Sequence, residues 1–272
     1  MRAWKVAEFN ETVLPTPSWV VPGLVPGSGW TLIIAPPKTG KSVFAEQMVY
    51  ALALGEKFLY WPIERPWRVT FVEADAPDGD LQKQTRAIMP KATENLDIII
   101  PDSRQLLRDL AESQKVAQRI KDHGAEFVVF DALEPLAGPS LDLNTQQGVQ
   151  SAINVLKGLA GNKPFMLIHH PRKQHPNPEF EETDVRNMAA GHHYLTANST
   201  ASLSIKADTR YGKLNTIGRR GGSKEYLLER LPVNDEVFIW ITVAETKKTP
   251  TEGPRQAPPD GRSLGALFEK PA

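Results

Sequence analysis

The chain has 272 residues, 40% of them hydrophobic, which is enough to bury a sizeable core without disulfides or a structural metal. Lysine and arginine number 32, equal to aspartate and glutamate, and this zero formal net charge excludes a chain-wide basic field for nucleic acid. The chain has no cysteine, which excludes thiolate metal sites and fits a cytoplasmic location, and no run of about 18 apolar residues predicts a membrane span.

Short apolar segments alternate with helical patterns over most of the chain. The patterns predict strands over 30–34, 69–74, 96–100, 127–130 and 165–168, and helices over 41–54, 80–89, 104–122 and 149–159. Ser103 is the predicted N-cap of the helix over 104–122, and Gly124 follows its end. Alternating strands and helices of this kind imply an α/β fold whose parallel sheet is covered on both faces.

After residue 190 the pattern changes to consecutive strands, which we interpret as an antiparallel extension of the sheet. These strands are predicted over 201–207, 214–217, 226–231 and 237–243. The predicted organisation is an N-terminal segment over 1–30, an α/β domain over 31–244 and a flexible tail over 245–272. The end of the tail, residues 263–268, is apolar again and is a possible docking segment for a replication partner or a neighbouring subunit.

The segment between the first predicted strand and helix, residues 35–42, has the pattern of a phosphate-binding loop (P-loop). In such a loop, backbone N–H groups and a helix N-terminus point at the phosphates, a Lys reaches the outer phosphates and a hydroxyl binds magnesium. Lys41 and Ser42 match the last two roles, while Ala35 departs from the Gly that usually begins the pattern. The predicted nucleotide-binding residues are Pro37, Lys38, Thr39, Gly40, Lys41, Ser42 and Val43.

Carboxylates at the ends of two predicted strands complete the predicted chemistry. Asp131 follows an apolar strand and is suited to hold the magnesium shell through water. Glu73 and Asp75 follow another strand, and hydrolysis of ATP needs a carboxylate that orients and deprotonates a water. Either of the two is a candidate for this base. The sequence therefore predicts an ATPase that uses ATP and Mg²⁺.

Two histidines, His169 and His170, close the fifth predicted strand. The carboxyl ends of strands face the ligand in open α/β sheets, so a polar side chain there can contact the γ-phosphate and relay its loss to the next loop. The histidine pairs 169–170 and 192–193 lack the ligands and spacing of a zinc site.

Four motifs in this order resemble the RecA-like ATPases grouped with the hexameric plasmid helicase RepA. They are the segment 18–26 with 32–42, then 69–75, 127–131 and 168–173, and the resemblance extends over roughly residues 15–245. The resemblance implies a RecA-like P-loop core. It also implies that the catalytic Glu of the family matches Asp75, a shorter residue, with Glu73 two positions earlier, and that the family's polar sensor matches His170 better than His169.

The same resemblance implies an assembly. Relatives project an Arg or Lys from their C-terminal strands into the ATP of a neighbouring subunit, and Arg219 and Arg220 are the best candidates for that role. In such rings the loops after the fourth and fifth strands, here roughly 135–147 and 171–190, face DNA. The implied partners are further copies of the chain, in a hexameric ring, and single-stranded DNA.

Three functions stay open at this point. The leading one is an oligomeric motor that hydrolyses Mg-ATP and moves along single-stranded DNA, as a RepA-like replicative helicase of a plasmid or phage. The second is an ATP-dependent recombinase or mediator that forms filaments. The third is a nucleotide-gated interaction module with little hydrolysis.

Overall fold

The structure is a computed structural model that describes residues 4–12, 18–103, 105–139, 141–170, 194–218 and 223–243. Among these, the residues up to Thr242 belong to one compact unit. Arg219, Arg220, the loop 171–190 and the tail 245–272 lie outside the described residues, so what the sequence predicts for them stays a prediction.

Helices and strands alternate along most of the described chain. The helices are α1 (Val6–Glu11), α2 (Lys41–Leu54), α3 (Asp78–Ile88), α4 (Leu110–His123), α5 (Leu133–Ala137), α6 (Gln146–Leu159) and α7 (Tyr194–Asn198). The strands are β1 (Trp19–Val21), β2 (Val25–Pro26), β3 (Trp30–Ile34), β4 (Val69–Glu73), β5 (Leu96–Ile99), β6 (Phe127–Asp131), β7 (Phe165–His169), β8 (Ala201–Ala207), β9 (Tyr211–Gly218), β10 (Ser223–Pro232) and β11 (Phe238–Thr242). None of these helices is both long and apolar enough to cross a membrane.

The main sheet has the order β11-β10-β9-β8-β3-β7-β6-β4-β5. The strands from β8 through β3 to β5 pair in parallel, whereas β8, β9, β10 and β11 pair with each other antiparallel. A separate antiparallel hairpin is formed by β1 and β2. The predicted fold class, a mostly parallel α/β sheet with an antiparallel C-terminal extension, is confirmed.

The central strands are apolar because both of their faces are covered, and every residue of β3, β4, β6 and β7 is buried. Alternate residues of β3 point into different cores. Ile33 packs in a cluster with Phe44 from α2, while Leu32 and Ile34 pack in a second cluster with Ile153 from α6. The loop from β3 to α2 therefore lies at the carboxyl edge of the sheet centre.

The helix predicted over 104–122 begins later than expected, at Leu110, so Ser103 is not its N-cap. The side chain of Asp109 is the cap, accepting a hydrogen bond of 3.0 Å from the amide of Glu112. The preceding residues form a turn in which the carbonyl of Gln105 accepts from the amide of Arg108 at 2.9 Å. Leu106 lies in this turn and is buried in the core. Its apolar side chain falls at helical spacing from those of α4, so the predicted helix began too early.

Candidate nucleotide-binding site

The loop from β3 to α2 turns through two residues in the left-handed region, Lys38 at φ 63° and Gly40 at φ 90°. A side chain at position 40 would be strained, and its Cβ would also lie 2.5 Å from the ring of Phe238. Because α2 begins at Lys41, its unpaired N-terminal amides and the positive end of its dipole lie at this loop. The backbone thus has the form of an anion-binding site.

Two polar side chains of the loop are buried beside its backbone. Lys41 is only 6% exposed, and the charge of its ammonium acts on both Asp131 and His170. The hydroxyl of Thr39 donates a hydrogen bond of 2.6 Å to the carbonyl of Pro36 and closes the turn. A buried ammonium at the start of a helix is suited to bind the outer phosphates of a nucleotide.

Asp131 ends β6 and is fully buried. Burial raises the pKa of Asp131 to about 6, against the lowering effects of the Ser42 hydroxyl and the Lys41 ammonium. Neither carboxylate oxygen has a hydrogen bond of ordinary geometry to the described residues. A buried carboxylate without such bonds is costly unless a cation neutralises it, so this group fits a hydrated Mg²⁺.

The described residues hold no cluster of three or more His, Asp or Glu side chains that would ligate a metal by themselves. A magnesium ion at this site would rely on the hydroxyl of Ser42, on Asp131 through water and on phosphate oxygens. This is the usual way in which Mg²⁺ is held, since it keeps several waters and uses few protein ligands.

Glu73 and Asp75, the two candidates for the base, have different surroundings. Glu73 is 2% exposed, and its Oε1 accepts hydrogen bonds from the amides of Asp75 at 2.6 Å and Ala76 at 2.9 Å. Burial and the nearby charge of Asp131 raise the pKa of Glu73 to about 8. Asp75 is exposed, and its charge acts on both Asp131 and His170. Both carboxylates therefore lie near Asp131, but Glu73 is engaged by two backbone amides, whereas Asp75 is open to solvent.

The two histidines also differ. His169 is 1% exposed, and its Nδ1 lies 3.2 Å from Oε1 of Glu134 in α5. His170 is half-buried, and burial together with the positive charge of Lys41 lowers its pKa. Its imidazole is therefore neutral at pH 7 and is able to exchange a hydrogen bond with a phosphate. Of the two, His170 is the one whose surroundings suit a sensor.

Sequence reasoning missed two residues of the C-terminal strands that contact the loop. Nη2 of Arg230 in β10 donates to the carbonyls of Lys38 and Thr39 at 3.3 and 3.0 Å. Nε1 of Trp240 in β11 donates to the carbonyl of Gly40 at 3.0 Å. These partners are 191 to 200 residues apart in sequence, so no local pattern could have indicated them.

Glu46 was missed too, although the sequence carries a signal for it. It is the one charged residue of α2 after Lys41, and it is 1% exposed. Its Oε1 accepts a hydrogen bond of 2.6 Å from Gln84 in α3. Burial raises the pKa of Glu46 to about 8, so it is mostly protonated at pH 7.

Comparisons with known proteins agree with this geometry. The sequence profile described as AAA domain matches residues 1–176, which is more than half of the chain. Among solved structures, the KaiC-like protein PH0186 from the hyperthermophilic archaeon Pyrococcus horikoshii OT3 is similar with a TM-score of 0.50 and 15% identity, over 83% of this chain and 94% of that one. No curated protein matches the sequence. The structural similarity supports a RecA-like fold.

Proposed function

The chain belongs to the AAA domain family, and from that premise we propose that it hydrolyses ATP with Mg²⁺ as its metal. One observation carries this proposal: Asp131 is buried, and neither of its carboxylate oxygens meets the distance and angle of a hydrogen bond to the described residues. It lies beside Lys41 and Ser42 at the start of α2. A cation bound with phosphates at the loop would neutralise this carboxylate, and the buried ammonium would neutralise the phosphates.

Within this proposal we assign a role to each residue of the site. The amides of residues 40–43 and the ammonium of Lys41 bind the β- and γ-phosphates, while the amide of Thr39 donates to the carbonyl of Pro36 at 3.3 Å. Asp75 orients a water and accepts its proton as the water oxygen bonds to the γ-phosphorus and the bond to the ADP oxygen breaks. His170 contacts the γ-phosphate. Ser42 and, through water, Asp131 would hold a Mg²⁺ ion, which would neutralise charge on the phosphate oxygens when bound.

The first test is Lys41→Ala. We expect it to abolish ATP turnover, because no other described residue places a buried positive charge at the start of α2. Asp131→Asn should strongly reduce the magnesium-dependent rate. The measurement is phosphate release at saturating Mg-ATP, with Lys57→Ala as a matched control at an exposed position after α2. Normal turnover in Lys41→Ala would refute the site.

We further propose that the chain acts as an oligomeric motor on single-stranded DNA, of the RepA-like replicative type. The order and spacing of the four motifs support this proposal. Of the two loops implied to face DNA, the segment 135–147 contains no Lys or Arg, whereas 171–190 contains Arg172, Lys173 and Arg186 together with four Asp or Glu residues. Contact with DNA phosphates would therefore depend on the second loop, with its few basic residues multiplied by assembly.

The lack of basic residues in 135–147 favours a second candidate, a nucleotide-gated interaction module without DNA. One experiment separates the two. ATP turnover is measured with and without single-stranded DNA, beside the native mass of the assembly. A motor should form a closed oligomer whose turnover DNA stimulates. An interaction module should bind nucleotide and show no stimulation, and open polymers would favour a filament-forming recombinase.

A further inference from the structure

The carbonyl groups of the P-loop face the C-terminal strands. Arg230 donates to the carbonyls of Lys38 and Thr39, and Trp240 donates to that of Gly40. Three consecutive carbonyls are thus bound by two side chains from strands at the far end of the sheet. We call Arg230 and Trp240 the P-loop clamp.

The clamp is itself held firmly in place. The backbone of Trp240 forms two hydrogen bonds with the side-chain amide of Gln47 in α2, at 2.7 and 3.1 Å. Its indole ring lies on Gly212, where an added Cβ would come within 2.7 Å of the ring. The guanidinium of Arg230 lies over the rings of Phe238 and Trp240, at 4.7 and 5.3 Å from their centroids. Both side chains therefore have little freedom to leave the loop.

Binding the carbonyls also orients the amides. In a planar trans peptide the C=O and the following N–H point to opposite sides. The carbonyls of Thr39 and Gly40 point at the clamp, and that of Gly40 also accepts the first hydrogen bond of α2, from the amide of Phe44 at 3.0 Å, so the N–H groups of Gly40 and Lys41 point away from the clamp. These are the amides that begin the anion-binding end of α2.

We propose that Arg230 and Trp240 are positioning residues that fix the P-loop amides in their phosphate-binding orientation before nucleotide arrives. This inference rests on the proposed ATP site. The clamp touches carbonyls on the side of the loop opposite the phosphates, so it acts through the loop and not on the substrate. Through the clamp, the C-terminal antiparallel strands contribute to the affinity for nucleotide, which strands that only extended the sheet would not do.

The test compares the full-length chain with Arg230→Ala, Arg230→Lys and Arg210→Ala. Arg210 is a matched control, because its guanidinium lies in the neighbouring turn and pairs with Glu229 at 2.7 Å instead of the P-loop. Calorimetry measures the Kd for Mg-ADP. We expect Arg230→Ala to weaken binding about ten- to hundredfold, as for a lost charge-assisted hydrogen bond, Arg230→Lys to weaken it less and Arg210→Ala to leave it unchanged.

Two further measurements separate positioning from bulk stability. Millimolar guanidinium should restore Mg-ADP binding to Arg230→Ala, whereas Mg-ADP binding by Lys41→Ala should stay as weak as without guanidinium. Trp240→Phe keeps an aromatic ring at this buried position but removes the indole N–H and the part of the ring that lies on Gly212, so its thermal unfolding is measured beside its Kd for Mg-ADP, which should rise several-fold. This variant carries the test if Arg230→Ala does not fold.

The outcomes are distinct. Wild-type chain that fails to bind Mg-ADP or Mg-ATP would refute the proposed function and, with it, the inference. Wild-type chain that binds, beside Arg230→Ala and Trp240→Phe variants with unchanged Kd, would refute the clamp alone. A loss of thermal stability without a change in Kd would likewise overturn it, since a purely structural contact would behave in that way.

Discussion

At the scale of single residues, Glu73 and Asp75 stand two positions apart and have opposite surroundings. Glu73 is buried, its pKa is raised to about 8 by burial and by the charge of Asp131, and its carboxyl oxygen accepts two backbone hydrogen bonds. We expect Glu73→Gln to keep turnover within several-fold, because the amide oxygen accepts the same bonds. Asp75→Asn should lower kcat by about a hundredfold or more, as for a lost general base, with ATP affinity retained.

The measurement for this pair is kcat and KM for ATP, together with the Kd for Mg-ATP. Asp78→Asn, a substitution at the start of α3, is the control for a charge change nearby. Equal losses in Glu73→Gln and Asp75→Asn would assign the base to the pair instead of to Asp75. Full turnover in both would move the base elsewhere.

Glu46 gives a prediction on pH and stability. Its pKa rises from 4.5 to about 8 on folding, so between these values the folded chain holds a proton that the unfolded chain has lost. The free energy of unfolding therefore falls as pH rises through this window. Glu46→Gln removes the titration and keeps the acceptor for Gln84. It should match wild type to within about 1 kcal/mol near pH 5 and exceed it above pH 8 by about 4 kcal/mol.

Thermal unfolding followed from about pH 5 to 9 measures this effect. A slope will persist in Glu46→Gln because Glu73, whose pKa is also raised to about 8, titrates in the same window. Curves that run parallel for wild type and Glu46→Gln would show that Glu46 does not contribute. A substitution at the neighbouring Gln47 is not a suitable control for Glu46→Gln, because the Gln47 side chain forms two hydrogen bonds with the backbone of Trp240.

At the scale of elements, the start of α4 is the sharpest difference between expectation and structure. Asp109→Ala should cost about 1 kcal/mol of unfolding free energy, since it removes the cap on the amide of Glu112. Ser103→Ala should change stability by less than about 0.5 kcal/mol, because Ser103 lies outside the helix. Chemical denaturation measures both. The opposite ranking would restore Ser103 as the cap.

The elements that sequence predicted well are those whose burial is uniform. Strands β3, β4, β6 and β7 are apolar throughout because both faces are covered, so their runs are easy to recognise. The short elements α1, β1, β2, α5 and α7, of two to six residues, have no period long enough to detect. The prediction 214–217 missed the first residues of β9, because the buried position among them is Gly212, which has no apolar side chain to indicate a strand.

The residues of the candidate site also fall into those that the sequence predicted and those that it did not. Lys41, Ser42 and Asp131 could be predicted because a strand, a tight loop and a helix place them in fixed order along the chain. Arg230 and Trp240 could not, because strand pairing brings them to the loop from about 200 residues away. Local sequence thus indicates which residues bind phosphate, and tertiary structure determines what orients them.

At the scale of the whole molecule, we predict an oligomer with nucleotide sites shared between subunits. The reason is the pair Arg219 and Arg220 among glycines between β9 and β10, outside the described residues. Subunits carrying Arg219→Ala and Arg220→Ala should regain ATP turnover when mixed with Lys41→Ala subunits. Each kind supplies what the other lacks at one shared site. The measurement is turnover of each variant alone and of their mixtures.

The control for mixing is assembly, followed as native mass for each variant. Mixed subunits that assemble and stay inactive would assign the two arginines to their own subunit or to a structural role. Mixing with a second Lys41→Ala preparation in place of the arginine variant should never restore turnover. That comparison shows whether a higher total protein concentration by itself raises the measured turnover.

The distance in sequence between Gly40 and Trp240 also has a consequence for biosynthesis. A ribosome exposes the P-loop long before it has translated β10 and β11, so a nascent chain carries the phosphate-binding motif without the side chains that orient it. We expect cotranslational folding to proceed without help from cellular ATP until those last strands have left the exit tunnel. Prematurely terminated chains would then bind nucleotide poorly and would not compete with finished chains for it.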